Sequence, residues 1–495
     1  MSDAAPRSTQ RIAKGAGWIY SYRWIDRLLG FASLTILARL LEKDDFGLVA
    51  VAASFVFIIE GLSEFDVKSA LIQSRDDDRE LFDSAWTLAL LRGAVAAVVM
   101  LCIAPFVQDP RVQQILYALA LCPLLDGLAN PRFVLFEREL DYSKLAMVTL
   151  AAAPTAFLVT VGTALATGSY WALVLGMITT SLVTLVSTYA LRPYRPRFTF
   201  ARVREIVSFS GWMSVATVAS TLSMRTDRLV VGWVLGFADA GSYFMTQRIG
   251  VLPTAELVSP LQRILFPSFS GMTEDPERLQ RAVRQSVGIL ASLSLPAAFG
   301  FALVANDFVP LALGPRWTQV ASLLVVLVPF LGLRATLSCA RPCVMALGET
   351  HLMARVSIVY GMIHFPAFLL GTALYGLEGA IWSIVIAGVF YIWLTAWLLK
   401  QTVGLSLFSV LRMQARPLVS VAVMCGAVFG LDRTLALDLF SEEGSWGSFG
   451  VKVAVGGCAF LATQLVLWRL AGRPDGIERR VLELIAGRRG AQGDR

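Results

Sequence analysis

Charge is what this chain has least of. Asp, Glu, Lys and Arg make up 16% of its 495 residues and hydrophobic residues 56%, where a soluble domain carries about 25% charged residues. Mean hydropathy is +0.64. That shortage excludes an ordinary water-soluble fold. Cysteine is sparse and scattered: Cys102, Cys122, Cys339, Cys343, Cys425 and Cys458 all fall in apolar stretches. Cys339 and Cys343 share a helix face, but no His or carboxylate joins them at ligand spacing, so all six read as small core residues and no metal is expected. No G-x-x-x-x-G-K-[ST] run occurs, so the chain does not itself hydrolyse ATP, and no other cofactor is implied. A long outer loop is missing too. The longest connection expected there, Asp432–Trp446, holds no catalytic constellation, which counts against a membrane glycosyltransferase or polysaccharide polymerase. No cleavable leader is visible, because Arg23 and Arg27 interrupt the first apolar segment and no small-residue cleavage site follows.

Apolar windows, by contrast, recur almost without pause from Ile12 to Leu470. At about 20 residues per span they predict an all-α integral membrane protein of about 14 transmembrane helices. The expected cores are 15–41, 46–72, 82–107, 112–136, 145–167, 170–191, 203–235, 240–268, 284–313, 318–345, 354–375, 378–399, 413–431 and 447–470. With the N-terminus inside, the inner segments hold about 27 of the 43 basic residues and the outer loops about five. Both termini are then cytoplasmic. The basic tail from residue 471 onward contains an amphipathic stretch, Pro474–Ile485, suited to the membrane surface. The net charge of +7 therefore reports topology and needs no nucleic-acid partner.

The chain repeats itself. Gly17-Trp18 and Gly47 recur as Gly211-Trp212 and Gly241 at an offset of 194, and Pro131 and Trp171 recur as Pro342 and Trp382 at 211. The expected organisation is two pseudo-symmetric six-helix lobes, 1–191 and 205–400, joined by a cytoplasmic linker at 192–204. Two extra C-terminal helices follow within 401–470. Parallel repeats of this kind are a common transporter plan.

The first hairpin, Gly15 to Gln73, breaks membrane rules. Arg23, Asp26 and Arg27 stand in its first segment, and Glu60, Glu64, Asp66 and Lys68 in its second. A charge at the centre of a spanning helix costs roughly 2.5–3.5 kcal/mol even on the mild insertion scale, so this hairpin is expected to line a wet cavity. A second cluster, Arg225, Asp227, Arg228 and Arg248, gathers near the outer ends of spans seven and eight, with Glu256 deeper. Arg92, Arg334, Arg263 and His364 stand more alone. Snorkelling toward an interface explains the arginines, and helix packing is the first reading of His364.

The run Leu37-Ala38-Arg39-Leu40-Leu41-Glu42-Lys43-Asp44-Asp45-Phe46-Gly47-Leu48-Val49-Ala50 resembles the first outer turn of the bacterial polysaccharide transporters. Ala70-Leu71-Ile72-Gln73, Phe82-Asp83-Ser84-Ala85-Trp86 and Thr226-Asp227-Arg228-Leu229-Val230-Val231-Gly232 are similar to later stretches of that family. It includes the Wzx-type flippases and belongs to the multidrug/oligosaccharidyl-lipid/polysaccharide flippase superfamily. Lys43 departs from the pattern, which places a helix-breaking proline at what is expected to be an exposed turn. The resemblance covers most of the chain to about residue 400. It implies a flippase that moves undecaprenyl-diphosphate-linked oligosaccharide units across the bacterial inner membrane, for O-antigen, capsule or exopolysaccharide, beside a polymerase and a chain-length regulator.

On that reading Arg23, Arg27, Lys68, Arg225, Arg228 and Arg248 form a basic path for the diphosphate, since guanidinium groups grip phosphate oxygens in pairs and stay charged when desolvated. Asp26, Glu60, Glu64, Asp227 and Glu256 are ion-coupling groups or structural counter-ions, and alternating access rocks two lobes around the cavity. The alternatives within transport are a drug or cation antiporter of the same superfamily, which the surplus of arginine disfavours, and a lipid II flippase, whose cargo carries the same diphosphate and which the polysaccharide-like run at 37–50 disfavours.

Overall fold

The computed structural model describes residues 24–62, 71, 78–139, 141–204, 206, 226–435 and 446–472. Among them the backbone is helix and turn, with no strand. Eight helices are long and apolar enough to cross a bilayer, or nine if one bent pair counts as a span. The chain is thus a multi-pass membrane protein. The tail stretch Pro474–Ile485 and the glycine–tryptophan pairs at 17–18 and 211–212 lie outside the described residues.

Two compact units divide the chain, Met1–Phe244 and Met245–Arg495. In the first, α1 (24–40) and α2 (Lys43–Leu62) form a hairpin. Asp45 accepts a hydrogen bond from the Glu42 N–H at 3.0 Å, reaching back across the first turn as a helix-starting box does. Helix α3 (Arg79–Ile103) follows. The next pass is broken: α4 (Pro110–Leu119) and α5 (Leu121–Gly127) end before Asn130, and Pro131–Arg138 continues at a bend of 62°. The continuous helix expected over 112–136 is therefore corrected to a kinked pass. Pro131 removes a backbone donor, and the buried Asn130 side chain turns aside to the carbonyls of Thr188 and Arg192. Helices α6 (Tyr142–Thr167) and α7 (Trp171–Leu191) pair antiparallel. Past the linker, α8 (226–235) turns at Gly236 into α9 (Phe237–Gly250), which ends in the second unit.

The second unit continues with α10 (Leu252–Ser270), α11 (Pro276–Leu313) and α12 (Thr318–Thr336). The tenth pass is also interrupted, because a turn separates α12 from α13 (Ala340–Ala346), which carries Pro342. Pro131 and Pro342, which match in the sequence, thus both stand next to a helix interruption. Helix α14 (Thr350–Val403) is two passes in one: Gly376 takes φ 63°, ψ −144°, and Ser383 Oγ beyond it donates to the Ala367 carbonyl at 2.9 Å. Only glycine adopts that backbone cheaply. Helices α15 (Leu407–Leu435) and α16 (Trp446–Leu470) complete the unit.

The cysteine expectation needs correcting. Cys122, Cys339 and Cys343 are buried, but Cys102 and Cys458 are exposed and Cys425 is half-buried. In a spanning helix an exposed apolar position meets lipid, which accepts a thiol as readily as a core does.

The repeat has a physical counterpart. A Cβ on Gly47 would lie 1.7 Å from the Phe237 carbonyl oxygen, and one on Gly241 would lie 2.0 Å from the Lys43 carbonyl oxygen. Lys43 and Phe237 carry the same 194-residue offset as the glycines, so α2 and α9 meet reciprocally, backbone on backbone. Lys43 is accordingly a half-buried first residue of α2 and not an exposed turn. Arg111 reinforces this end, bonding Asp44 at 2.9 Å and Asp109 at 3.0 Å while its guanidinium lies 5.8 Å over Phe237. Burial works against the Asp109 charge, but the Arg111 hydrogen bonds outweigh it and hold that carboxyl below its ordinary range.

Candidate functional site: a charged transport face

Within the first unit, sequence neighbours on α8 meet sequence neighbours on α9 across the turn. Asp227 Oδ2 accepts a hydrogen bond from Tyr243 Oη at 3.2 Å, and the Arg228 guanidinium lies 5.2 Å over the Phe244 ring. Tyr243 is fully buried, which pins the Asp227 side chain. Arg228 is half-buried, and its flat cation keeps edge donors available while its face rests on the ring. On α1, Asp26 and Arg27 are exposed; Glu60 is half-buried near the end of α2. Among the described residues, neither α1 nor α2 is one of the helices that count as a span, and water reaches the exposed charges of α1. Arg23, Glu64, Asp66, Lys68 and Arg225 lie outside the described residues.

Composition alone did not single out Asp126. It sits on α5, which packs against α7, the helix of Ser181, and against α3, the helix of Arg92. Arg92, which the sequence left alone, thus stands on a helix packed against the one that carries Asp126. The available signal was a lone carboxylate in the apolar run Leu124-Leu125-Asp126-Gly127.

In the second unit Arg248 is exposed and Glu256 is half-buried on α10. Arg334 lies 5.0 Å over the Tyr391 ring, and His364 is buried and stacked 5.1 Å from Tyr360, so both pack against aromatics. The Arg263 side chain is outside the described residues. A further charged group had no sequence signal: Lys452 of α16 bonds Asp307 of α11 at 2.8 Å and Asp432 of α15 at 2.9 Å. Deeper in the same three helices, Ser420 donates to Gln464 Oε1 at 2.8 Å. An apolar cavity of about 520 Å³ opens beside Lys452, lined by Leu252, Phe301, Met424, Phe449 and Phe460. Lys452→Gln would leave Asp307, with a 9% exposed side chain, without its cation. The expected loss is about 2 kcal/mol, read as a lower midpoint of thermal unfolding in detergent. The exposed Asp432 can turn to solvent, which limits the effect.

A multi-pass helical chain with charged groups among its helices fits a transporter, and the chain's similarities point to that class. It is similar to the lipopolysaccharide biosynthesis protein WzxC of Escherichia coli, 26% identical over 75% of this chain and 77% of that one. It is also similar to the succinoglycan biosynthesis transport protein ExoT of Rhizobium meliloti, 24% identical over 84% and 86%. Among solved structures, the lipid II flippase MurJ in an inward closed conformation shares the fold at a TM-score of 0.73, with 13% identity over 92% of this chain and 99% of that one. An inward-facing multidrug resistance transporter of the MATE family and MOP superfamily does so at 0.59, with 16% identity over 79% and 95%. The family described as polysaccharide biosynthesis protein matches residues 36–322, and the chain belongs to it.

Proposed function

We propose that the protein is a flippase for lipid-linked oligosaccharide units built on undecaprenyl diphosphate, working in the bacterial inner membrane with both termini cytoplasmic. The observation that carries this reading is the set of charged side chains on helices of the first unit: exposed Arg27 on α1, half-buried Glu60 on α2, Asp227 held by Tyr243, Arg228 over Phe244, and Arg92 and Asp126 within apolar passes. Family membership and the names of WzxC and ExoT support the cargo class. An anionic diphosphate headgroup needs cations that stay charged when desolvated, and arginine supplies them. Arg23, Lys68, Arg225 and Arg248 extend the basic path, while Asp26, Glu64 and Glu256 act as counter-ions or take up the coupling ion. The apolar cavity of the second unit suits the isoprenoid chain. A polymerase and a chain-length regulator receive the delivered unit.

The test is deletion followed by lipid extraction. Deletion is expected to accumulate diphospholipid-linked oligosaccharide and to remove surface or secreted polymer. Native protein restores both, whereas an Arg27→Ala, Arg228→Ala double variant restores export by less than a tenth while remaining in the membrane at native level. Normal export by that variant refutes the basic path. Unchanged lipid pools and polymer, with new sensitivity to cationic drugs, replace the flippase by an antiporter.

A further inference from the structure

The segment after α7 is too well built for a tether. Pro193 and Pro196 hold it extended and remove two backbone donors. The donors that remain must be satisfied, and one face of the first turns of α3 does so. Asp83 accepts from the Arg197 N–H at 3.0 Å and from Tyr194 Oη, Thr87 Oγ1 accepts from the Thr199 N–H at 3.1 Å, and Ser84 Oγ accepts from the Arg202 N–H at 3.2 Å. Arg79 donates to the Arg195 carbonyl at 3.1 Å, and Arg202 pairs with Asp78 at 3.6 Å.

Fixing the backbone in this way decides which side chains face out. Tyr194, Pro196 and Thr199 turn toward the helix, whereas Arg195, Arg197, Phe198, Phe200 and Arg204 are exposed. Phe198 is 72% and Phe200 66% exposed, although Phe198 also meets Trp86 edge-on at 5.0 Å. Three arginines interleaved with two bare phenylalanines make a surface with a particular fit. The strap continues directly from the last turn of one spanning helix and lies along the first turns of another, which sets it at the level of the lipid headgroups. Aromatic rings settle at that depth, and arginines there attract acidic headgroups.

We infer that the strap 192–204 is a docking surface for anionic glycerophospholipids, with Arg195, Arg197 and Arg204 on the phosphates and Phe198 and Phe200 in the interface. This surface is separate from the charged transport face. It holds the broken pass at Pro131 as well, because Arg132 lies 4.8 Å over the Tyr194 ring and 5.4 Å over Phe82. Bilayer composition therefore acts on the ends of α3, α7 and the kinked pass together.

The test uses the purified full chain in detergent, titrated with phosphatidylglycerol or phosphatidylcholine while thermal unfolding is followed. Phosphatidylglycerol is expected to stabilise the native chain at far lower concentration than phosphatidylcholine. Each near-surface arginine contributes about fivefold in affinity, so an Arg195→Gln, Arg197→Gln, Arg204→Gln variant should need about a hundredfold more phosphatidylglycerol for half the effect. Its unfolding midpoint without added lipid should stay native, since the strap is held by its backbone. The corresponding triple Lys variant should keep the preference. Equal response of the Gln variant and native chain to phosphatidylglycerol overturns the inference, as does loss of the preference in the Lys variant. Displacement of phosphatidylglycerol by an equal concentration of farnesyl diphosphate also overturns it, because the surface would then be a cargo site.

Discussion

Gly47→Ala is expected to leave a folded, membrane-inserted protein that exports poorly. The added methyl would sit 1.7 Å from the Phe237 carbonyl oxygen, less than half a normal contact distance, and the obstacle is backbone, so no rotamer change relieves it. Helices α2 and α9 must part at this point. Overpacking of this kind costs about 1–3 kcal/mol, and a shift of that size in a two-state equilibrium changes populations by about 5- to 150-fold. In the proposed orientation the contact lies at the periplasmic end, where the alternating access expected from the sequence would have it close and then open. The substitution therefore biases the transporter toward the state in which this end is open. Gly241→Ala strikes the Lys43 carbonyl from the other side of the same contact. The two substitutions should then fall well short of additive.

The bias can be read without transport. With Cys102 and Cys458 replaced by serine to clear the exposed background, a Lys43→Cys probe should react slowly with a membrane-impermeant thiol reagent applied from the periplasm. Adding Gly47→Ala should speed labelling at least fivefold. Unchanged labelling together with native export would mean that the contact is not a gate.

Much of the fold was legible because the bilayer imposes a simple rule, that about 20 apolar residues make a pass. The matched landmarks Gly47 and Gly241 went further and marked a close contact between α2 and α9. What stayed hidden depends on side chains meeting across the fold. Pro131 flagged a special site, but the 62° break needs Asn130 to find Thr188 and Arg192, and no local pattern reports that. Lys452, Asp307 and Asp432 are far apart in sequence and converge only when three helices pack. Asp126 looked like a stray carboxylate until the helices of Arg92 and Ser181 packed against its own. The run Phe82-Asp83-Ser84-Ala85-Trp86 carried a family resemblance with no stated task. The structure gives it one: Phe82 underlies Arg132, Asp83 and Ser84 hold the strap, and the Trp86 indole donates to the Leu128 carbonyl at 3.3 Å.

Asp83→Ala should have the largest effect on stability. The residue is 4% exposed, and its carboxylate serves three partners at once: the Arg79 guanidinium at 3.6 Å, the Arg197 N–H and the Tyr194 hydroxyl. Burial and then the hydrogen bond to Asp83 push the Tyr194 phenol above its ordinary range, so Tyr194 stays a donor. Truncation leaves the Arg197 N–H and the Tyr194 hydroxyl facing a void, while the half-exposed Arg79 keeps water and the Arg195 carbonyl; losing hydrogen bonds to a charged acceptor should cost about 3 kcal/mol. Asp83→Asn keeps an acceptor of the same shape and loses the charge, so its loss should be nearer 1–2 kcal/mol. Thermal unfolding in detergent should rank native above Asn above Ala. Limited trypsin digestion adds a local readout. Arg192 and Arg195 precede prolines and resist cleavage, whereas Arg197 is protected only while its backbone is held against α3. Cutting after Arg197 in the Ala variant, absent from the native chain, would show that Asp83 is what clasps the strap. A native midpoint and an uncut strap would instead place the anchoring on Ser84 and Thr87.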